Sequence, residues 1–211
     1  MRTLAILPVK RFELAKTRLG EQLAAPQRRR LAEAMVSDVL DALLSMPELD
    51  AVVVTNEPAV ASLASAGGAT VLADPAESGQ SAAALVGIAH ALRGSYERAL
   101  LVPGDCPALD CTALRALLDR HSSAPAVTIV PDRHGSGTNA LLLTPPDAIE
   151  PGFGPGSFAR HRRRAGAAGA GWNVERLEPL MLDVDTPEDL AVLRVALAQR
   201  RTRTGALLRE L

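Results

Sequence analysis

The chain predicts a single α/β domain with a largely parallel sheet covered on both faces by helices. Three observations carry that expectation. Short runs of Val, Leu and Ile alternate with longer stretches of helical period. The 211 residues suffice for one sizeable core and fall short of two full domains. The apolar fraction of 47% comes from Ala, Leu and Val, with aromatics at 2%, so the core is expected to be aliphatic and finely interdigitated. In such a fold, ligands bind at the carboxyl ends of the strands.

In chain order, the expected strands are residues 4–7, 51–55, 69–73, 99–102, 127–130, 140–143 and 180–184. Each is a short apolar run bounded by turn residues. Helices are expected at 26–46, where Leu31, Met35, Val39 and Leu43 recur on one stripe, and at 81–92 and 112–121, which are rich in Ala and Leu and lack breakers. The run AGAAGAG at 165–171 reads as a flexible loop by composition. Residues 200–211 are polar without a clear apolar face and are expected to form a frayed or partner-dependent tail. The expected division is therefore a domain at 1–199 and a tail at 200–211.

A formal net charge of −1 and the scarcity of aromatics argue against a nucleic-acid-binding or membrane-surface role. No apolar segment approaches the roughly 20 residues of a membrane span, so a cytoplasmic protein is expected. Cys106 and Cys111 cannot form a disulfide framework, and their spacing has no second pair to complete a zinc site.

The polar groups gather in four places. After Pro8 the first strand gives way to a loop with Lys10, Arg11, Lys16 and Arg18. Gly104 and Asp105 follow a strand, stiffened by Pro103 and Pro107, so the carboxylate projects from the sheet's carboxyl edge, where oxygen donors suit Mg²⁺. A turn aspartate bonded to its own backbone is the plainer alternative. In LMLDVDTPEDL, Asp183 and Asp185 are expected on one face at the end of the last strand. Thr186 then caps a helix with Pro187 first, and Glu188 and Asp189 complement its dipole. Convergence of Asp105 with Asp183 and Asp185 would make an all-oxygen divalent site with room for phosphate ligands.

The fourth place has two parts. Gly135, Ser136, Gly137 and Thr138 read as a backbone nest for an anion, or as a plain hairpin turn. Gly152, Gly154 and Gly156 precede Ser157, an expected N-cap for a helix carrying Arg160 to Arg164. That helix start is a second anion site, with Arg160 and His161 the nearest ligands and the remaining arginines a solvated face. His90 and His121 read as surface or packing residues, His134 stays open, and Cys106 reads as a packing residue.

This inventory holds phosphate-like sites and metal carboxylates, without an evident Ser/His/Asp set. A phosphate monoester, with a second pKa of about 6, can attack another phosphorus without a strong base, so nucleotidyl transfer fits. Lys10, Lys16 and Arg18 are then expected to neutralise a triphosphate and the leaving pyrophosphate, with Arg11 facing solvent.

The run LPVKRFELAKTRL, the turn at Gly104 to Pro107, the strings PDRHGSGTNALLL and FGPGSF, and LDVDTPEDL resemble, in that order, the phosphoenolpyruvate or 2-phospho-L-lactate guanylyltransferases of coenzyme F-420 biosynthesis. The resemblance spans roughly residues 3 to 198 and implies a single-domain, three-layer, Rossmann-like nucleotidyltransferase (GT-A-like) fold. It implies GMP transfer from GTP to a three-carbon phospho-acid, phosphoenolpyruvate favoured or 2-phospho-L-lactate, with Mg²⁺ as cofactor and pyrophosphate released. With the loop reading, Lys16 and Asp105 are expected to be catalytic and Pro8, Lys10, Lys16, Arg18, Gly79, Ser81 and Gly104 to face the nucleotide; the resemblance itself implies the contacts to the acid and the metal. Thr138, Gly154 and Ser157 hold the acid, joined by Arg160 and His161 from the helix-start reading. Asp105 binds metal with Asp185, favoured over Asp183. One departure is GQSAAAL at 79–85, where many relatives carry a G-L-N-x-A-like string. Expected partners are GTP, the phospho-acid and a downstream transferase of the same pathway, with no nucleic acid and no membrane, in a monomer or homodimer. The rival readings are a glycosyltransferase using the D-V-D string, a nucleotidyltransferase acting on a sugar phosphate or molybdopterin, and a non-catalytic nucleotide-binding module.

Overall fold

A computed structural model describes residues 1–120 and 123–211. Seven strands form one sheet: β1 (Thr3–Val9), β2 (Leu49–Thr55), β3 (Thr70–Leu72), β4 (Arg98–Leu101), β5 (Ala126–Pro131), β6 (Thr138–Thr144) and β7 (Gly171–Val174). Their spatial order is β3-β2-β1-β4-β6-β5-β7. Only β6 runs antiparallel to its neighbours, β4 and β5. The chain leaves β1 toward β2 and β3, then returns to place β4 on the other side of β1. A crevice therefore opens at the carboxyl ends of β1 and β4.

Strand side chains alternate between two apolar layers because the pleat has a period of two. Ala5, Leu7 and Val9 of β1, with Leu100 of β4, enter one cluster. Leu4 and Ile6, with Ala99 and Leu101, enter the other. Helices α1 (Ala25–Leu44), α2 (Pro58–Ala66) and α4 (Cys111–Leu118) cover the first face, and α3 (Gln80–Arg93) and α5 (Ser157–Ala167) cover the second. The α1 stripe is as the periodicity predicts: Leu31, Met35, Val39 and Leu43 are all buried, each side chain worth about 1.5–3 kcal/mol. On the other face, a Cβ on Gly87 of α3 would fall 2.3 Å from Ile6 Cγ2, so this helix rides close on β1.

The remaining helices are α6 (Glu178–Met181), α7 (Pro187–Ala196) and α8 (Arg203–Glu210). Here three sequence expectations are corrected. Residues 180–184 are not a strand: Pro179 opens the short α6, an extended segment follows, and the place beside β5 is taken by β7. A short apolar run is equally compatible with a buried helical turn, and Leu180 and Val184 are indeed fully buried. The AGAAGAG run is no loose loop either. It finishes α5, turns at Gly169 with φ +65° and buries Ala165 and Ala170.

Nor is the polar segment frayed. In α8, Thr204, Leu207 and Leu208 are buried and join Leu19, Leu23, Leu31, Met35, Leu190 and Leu193 in or beside a third cluster. The Asp38 carboxylate of α1 accepts the first two α8 amides, Arg203 N and Thr204 N, both at 2.8 Å. Thr202 Oγ1 accepts the third, Gly205 N, at 2.9 Å. The helix expected over 112–121 ends at Leu118, with Asp119 as its C-cap, and the expectation for His121 lies outside the described residues. Among the described residues no helix is long and apolar enough to cross a membrane.

Candidate active site

A cleft of about 670 Å³ runs along the carboxyl edge of the sheet. Pro8, Lys10, Lys16, Arg18, Gly79, Gly104, Asp105, Thr138, Gly154, Ser157, Asp183 and Asp185 all line it, so most of the residues singled out from sequence converge. Ser81, Arg160 and His161 do not line it, and each has a different task described below.

The cationic end begins where β1 stops. Two single 3-10 turns, Phe12–Leu14 and Thr17–Leu19, fold the loop back. Between them Lys16 adopts the left-handed conformation, φ 54° and ψ 33°, a strained choice for a side chain of this size. That backbone turns the lysine inward, leaving its side chain 7% exposed. Its Nζ donates to Asp105 Oδ2 at 2.5 Å and to Asp185 Oδ1 at 3.2 Å. Burial pulls the ammonium's pKa down, but the two carboxylates more than offset it, so the pKa lies above the ordinary value. Lys10 and Arg18 stay exposed at the rim. Arg11 is exposed too, but it pairs with Glu77 at 3.2 Å.

Asp105 is placed by the turn after β4. That turn needs Gly104 because a Cβ there would sit 2.9 Å from Val36 Cγ2 on α1. Asp183 and Asp185 reach the cleft from the segment between α6 and α7, so they are not set by a strand face. They also differ from each other. Asp185 is half exposed and pairs with Lys16, whereas Asp183 sits deeper and accepts from Asn139 Nδ2 at 3.0 Å. Burial, then the nearby Asp105 charge, pushes the Asp183 carboxyl up to about 6. Asp189 caps α7 reciprocally with Thr186 and pairs with Arg133 at 2.5 Å, so it is structural as expected. Buried Cys106 has its thiol pushed well up by burial and then Asp105, which fits a packing residue and no nucleophile.

These carboxylates fit a hard divalent ion in one respect: Lys16 already shows that Asp105 and Asp185 converge on one cation position. No group of three or more His, Cys, Asp and Glu side chains forms a ready cage among the described residues. Two carboxylates meeting at one point are a donor set a divalent ion can use with phosphate and water as its other ligands.

At the other end, the expected backbone nest is already filled. Asp132 accepts Ser136 N at 2.9 Å and Gly137 N at 2.8 Å, so these amides hold an internal carboxylate and are not free for a ligand. A Cβ on Gly137 would come 2.6 Å from that same carboxylate. Two hydroxyl-bearing residues, Thr138 and Ser157, line the cleft there instead. Thr138 opens β6, whose reversed direction brings its first residue to the carboxyl edge of its parallel neighbours. Ser157 starts α5; the left-handed Gly156 precedes it as the cap, so Ser157 is the first helical residue and not the N-cap. Its Oγ is buried with no partner among the described residues.

Arg160 donates to Gly152 O at 2.7 Å and to Pro155 O at 2.9 Å, stapling the glycine loop. Ser81 Oγ accepts Phe153 N at 2.9 Å, tying that loop to α3. His161 is fully buried between Thr138 and Gly152. All three are engaged with the glycine loop or with Thr138 and stand outside the cleft lining.

Sequence reading missed Asn139, Asn56, Asp74 and Asp132, all of which line the cleft. Asn139 also donates to Leu180 O at 2.8 Å, holding the Asp183 segment in place. Asn56 follows β2 and bonds Asp74 both ways, beyond β3. Their signal was position: Asn56, Asp74 and Asp132 come just after β2, β3 and β5, on the same edge as Asp105, and Asn139 reaches that edge at the start of the reversed β6.

A family model described as guanylyl transferase CofC like matches residues 3–211. A phosphoenolpyruvate guanylyltransferase of Conexibacter woesei is 50% identical over 203 residues, covering 95% of this chain and 91% of that protein. The chain belongs to this CofC-like guanylyltransferase family. A 3-phospho-D-glycerate guanylyltransferase of Colwellia psychrerythraea is 35% identical, covering 92% and 91% of the two chains. In three dimensions, a nucleotidyl transferase from Methanothermobacter thermautotroptrophicus superposes with a TM-score of 0.67 at 19% identity, covering 99% of each chain. The CofC-like chain is thus a nucleotidyltransferase, with its cationic and hydroxyl ends facing one cleft. Membership in this family sets aside the glycosyltransferase and the non-catalytic readings.

Proposed function

We propose that this guanylyltransferase transfers GMP from GTP to phosphoenolpyruvate with Mg²⁺, releasing pyrophosphate, as a step toward coenzyme F-420. The observation that carries the reading is the single cleft with a lysine–carboxylate cluster at one end and two buried hydroxyls at the other. The first suits a triphosphate and the second a small anion. The name of the 50% identical relative supports phosphoenolpyruvate as the acid.

In this reading a phosphate oxygen of the acid forms a bond to the α-phosphorus of GTP, and the bond from that phosphorus to the β-phosphate bridge oxygen breaks. The attacking oxygen is ionised near neutral pH, which removes the need for a general base. Lys16 supplies a fixed positive charge where phosphate charge gathers, and Lys10 and Arg18 add mobile charge at the rim for the departing pyrophosphate. Asp105 and Asp185 would hold Mg²⁺, with Asp183 behind them. Bound there, the ion supplies charge neutralisation at the phosphates. Thr138, Gly154 and Ser157 hold the acid, while Gly79, Gly104 and Pro8 shape the nucleotide side.

Purified protein with GTP, Mg²⁺ and phosphoenolpyruvate is expected to release pyrophosphate. Parallel assays with 2-phospho-L-lactate and 3-phospho-D-glycerate test the choice of acid. Absence of turnover with all three would overturn the reading.

A further inference from the structure

We infer that His161 is a positioning residue that forces the Thr138 hydroxyl to donate into the cleft, making the acid pocket selective for anionic oxygen. The inference rests on the reading that Thr138 and Ser157 hold the acid, and it assigns a role to a residue outside the cleft wall.

The polarity follows from a chain of donors. Gly152 N lies 2.8 Å from His161 Nε2, and a backbone amide only donates. Nε2 therefore accepts and carries no proton. In a neutral ring the proton then resides on Nδ1, which is 2.9 Å from Thr138 Oγ1. Nδ1–H donates, Thr138 Oγ1 accepts, and the hydroxyl's own proton must point elsewhere. Thr138 lines the cleft, so that proton is available to a ligand. Complete burial of the ring and the adjacent Arg164 and Arg160 keep it neutral, with a pKa lowered to about 4. The Phe153 ring packs edge-on against it, 5.4 Å between centroids, holding its orientation.

Ser157 lies four residues before His161 on the same face of α5; it lines the cleft with Thr138, and its Oγ is buried without a partner among the described residues. A hydroxyl fixed as a donor favours an acceptor-only oxygen such as that of a carboxylate or phosphate. A neutral acceptor there would gain about half as much.

Two substitutions separate this role from simple packing. His161→Asn places an amide N–H near the position of Nδ1 and preserves donation to Thr138. His161→Gln places its carbonyl near Nε2 and preserves only the Gly152 contact. The acid KM is expected to rise about tenfold in His161→Gln, the size of one lost hydrogen bond of about 1.4 kcal/mol. It should rise less than threefold (roughly, on the same scale) in His161→Asn, with the KM for GTP and kcat little changed in either. In a Thr138→Val background, His161→Gln should add no further loss. An equal rise in both KM values, or additive losses in the Val background, would overturn the inference. Nitrogen NMR of the labelled wild-type protein reads the tautomer without any substrate. A ring protonated on Nε2 near pH 7 would refute the role even if transfer is efficient. Absent turnover with an Nδ1–H ring would instead count against the acid reading on which the inference depends.

Discussion

Lys16 holds an unusual combination for one residue: left-handed backbone, a buried ammonium and two carboxylate partners. Removing the ammonium in Lys16→Ala takes away the charge that faces the phosphates, and kcat is expected to fall by about 10²–10³. Asp105 and Asp185 both retain access to water, so the fold should tolerate the change, and a thermal melt within a few degrees of wild type would separate catalysis from folding. His161 carries the opposite electrostatic sign. Its folded pKa of about 4 lies below the ordinary 6.5, so the unfolded chain binds the proton first as pH falls. Its contribution to stability is full above pH 6.5 and is lost between 6.5 and about 4, a span worth about 3 kcal/mol at most. Urea unfolding followed from pH 7 to pH 4 should show a shallower decline in His161→Asn than in wild type. Matching slopes would mean that the ring already titrates normally in the fold.

At the scale of elements, α8 depends on a carboxylate supplied by another helix. Asp38→Ala would leave two helix-start amides unpaired, at a cost of about 2 kcal/mol, and is expected to lower Tm by roughly 4–8 °C for a chain of this size. Calorimetry checks this, and an unchanged Tm would mean that water replaces the carboxylate freely. The same helix shows what sequence patterns concealed. Its apolar face is only Leu207 and Leu208 beside Thr204 and Gly205, too narrow to stand out among arginines. By contrast β1, β2 and α1 were plain, because their apolar periodicity is long and unbroken. Strand β7 was missed because Gly171 and Trp172 are exposed and Asn173 is polar, as befits an edge. The segment 180–184 misled because a buried helical turn and a strand look alike over five residues.

Across the whole molecule, the sheet's topology explains why the cleft was largely readable from motifs. Loops that leave the parallel strands gather at one edge, so Lys16 and Asp105 could be grouped before any contact was known, and the reversed β6 brings its first residue, Thr138, to the same edge. Roles inside that group were less legible. Nothing in the order of residues tells that Asp132 occupies the nest at 135–137, or that His161 faces Thr138 and not the ligand, since both depend on how separate loops cross. The third apolar cluster ties these scales together. Leu19, which anchors the loop bearing Lys16, shares that cluster with Leu190, Leu193, Leu207 and Leu208. Loosening of α7 and α8 by heat or mild denaturant therefore unseats Lys16 while the central strands still stand, and turnover should disappear earlier along the melting curve than the sheet does.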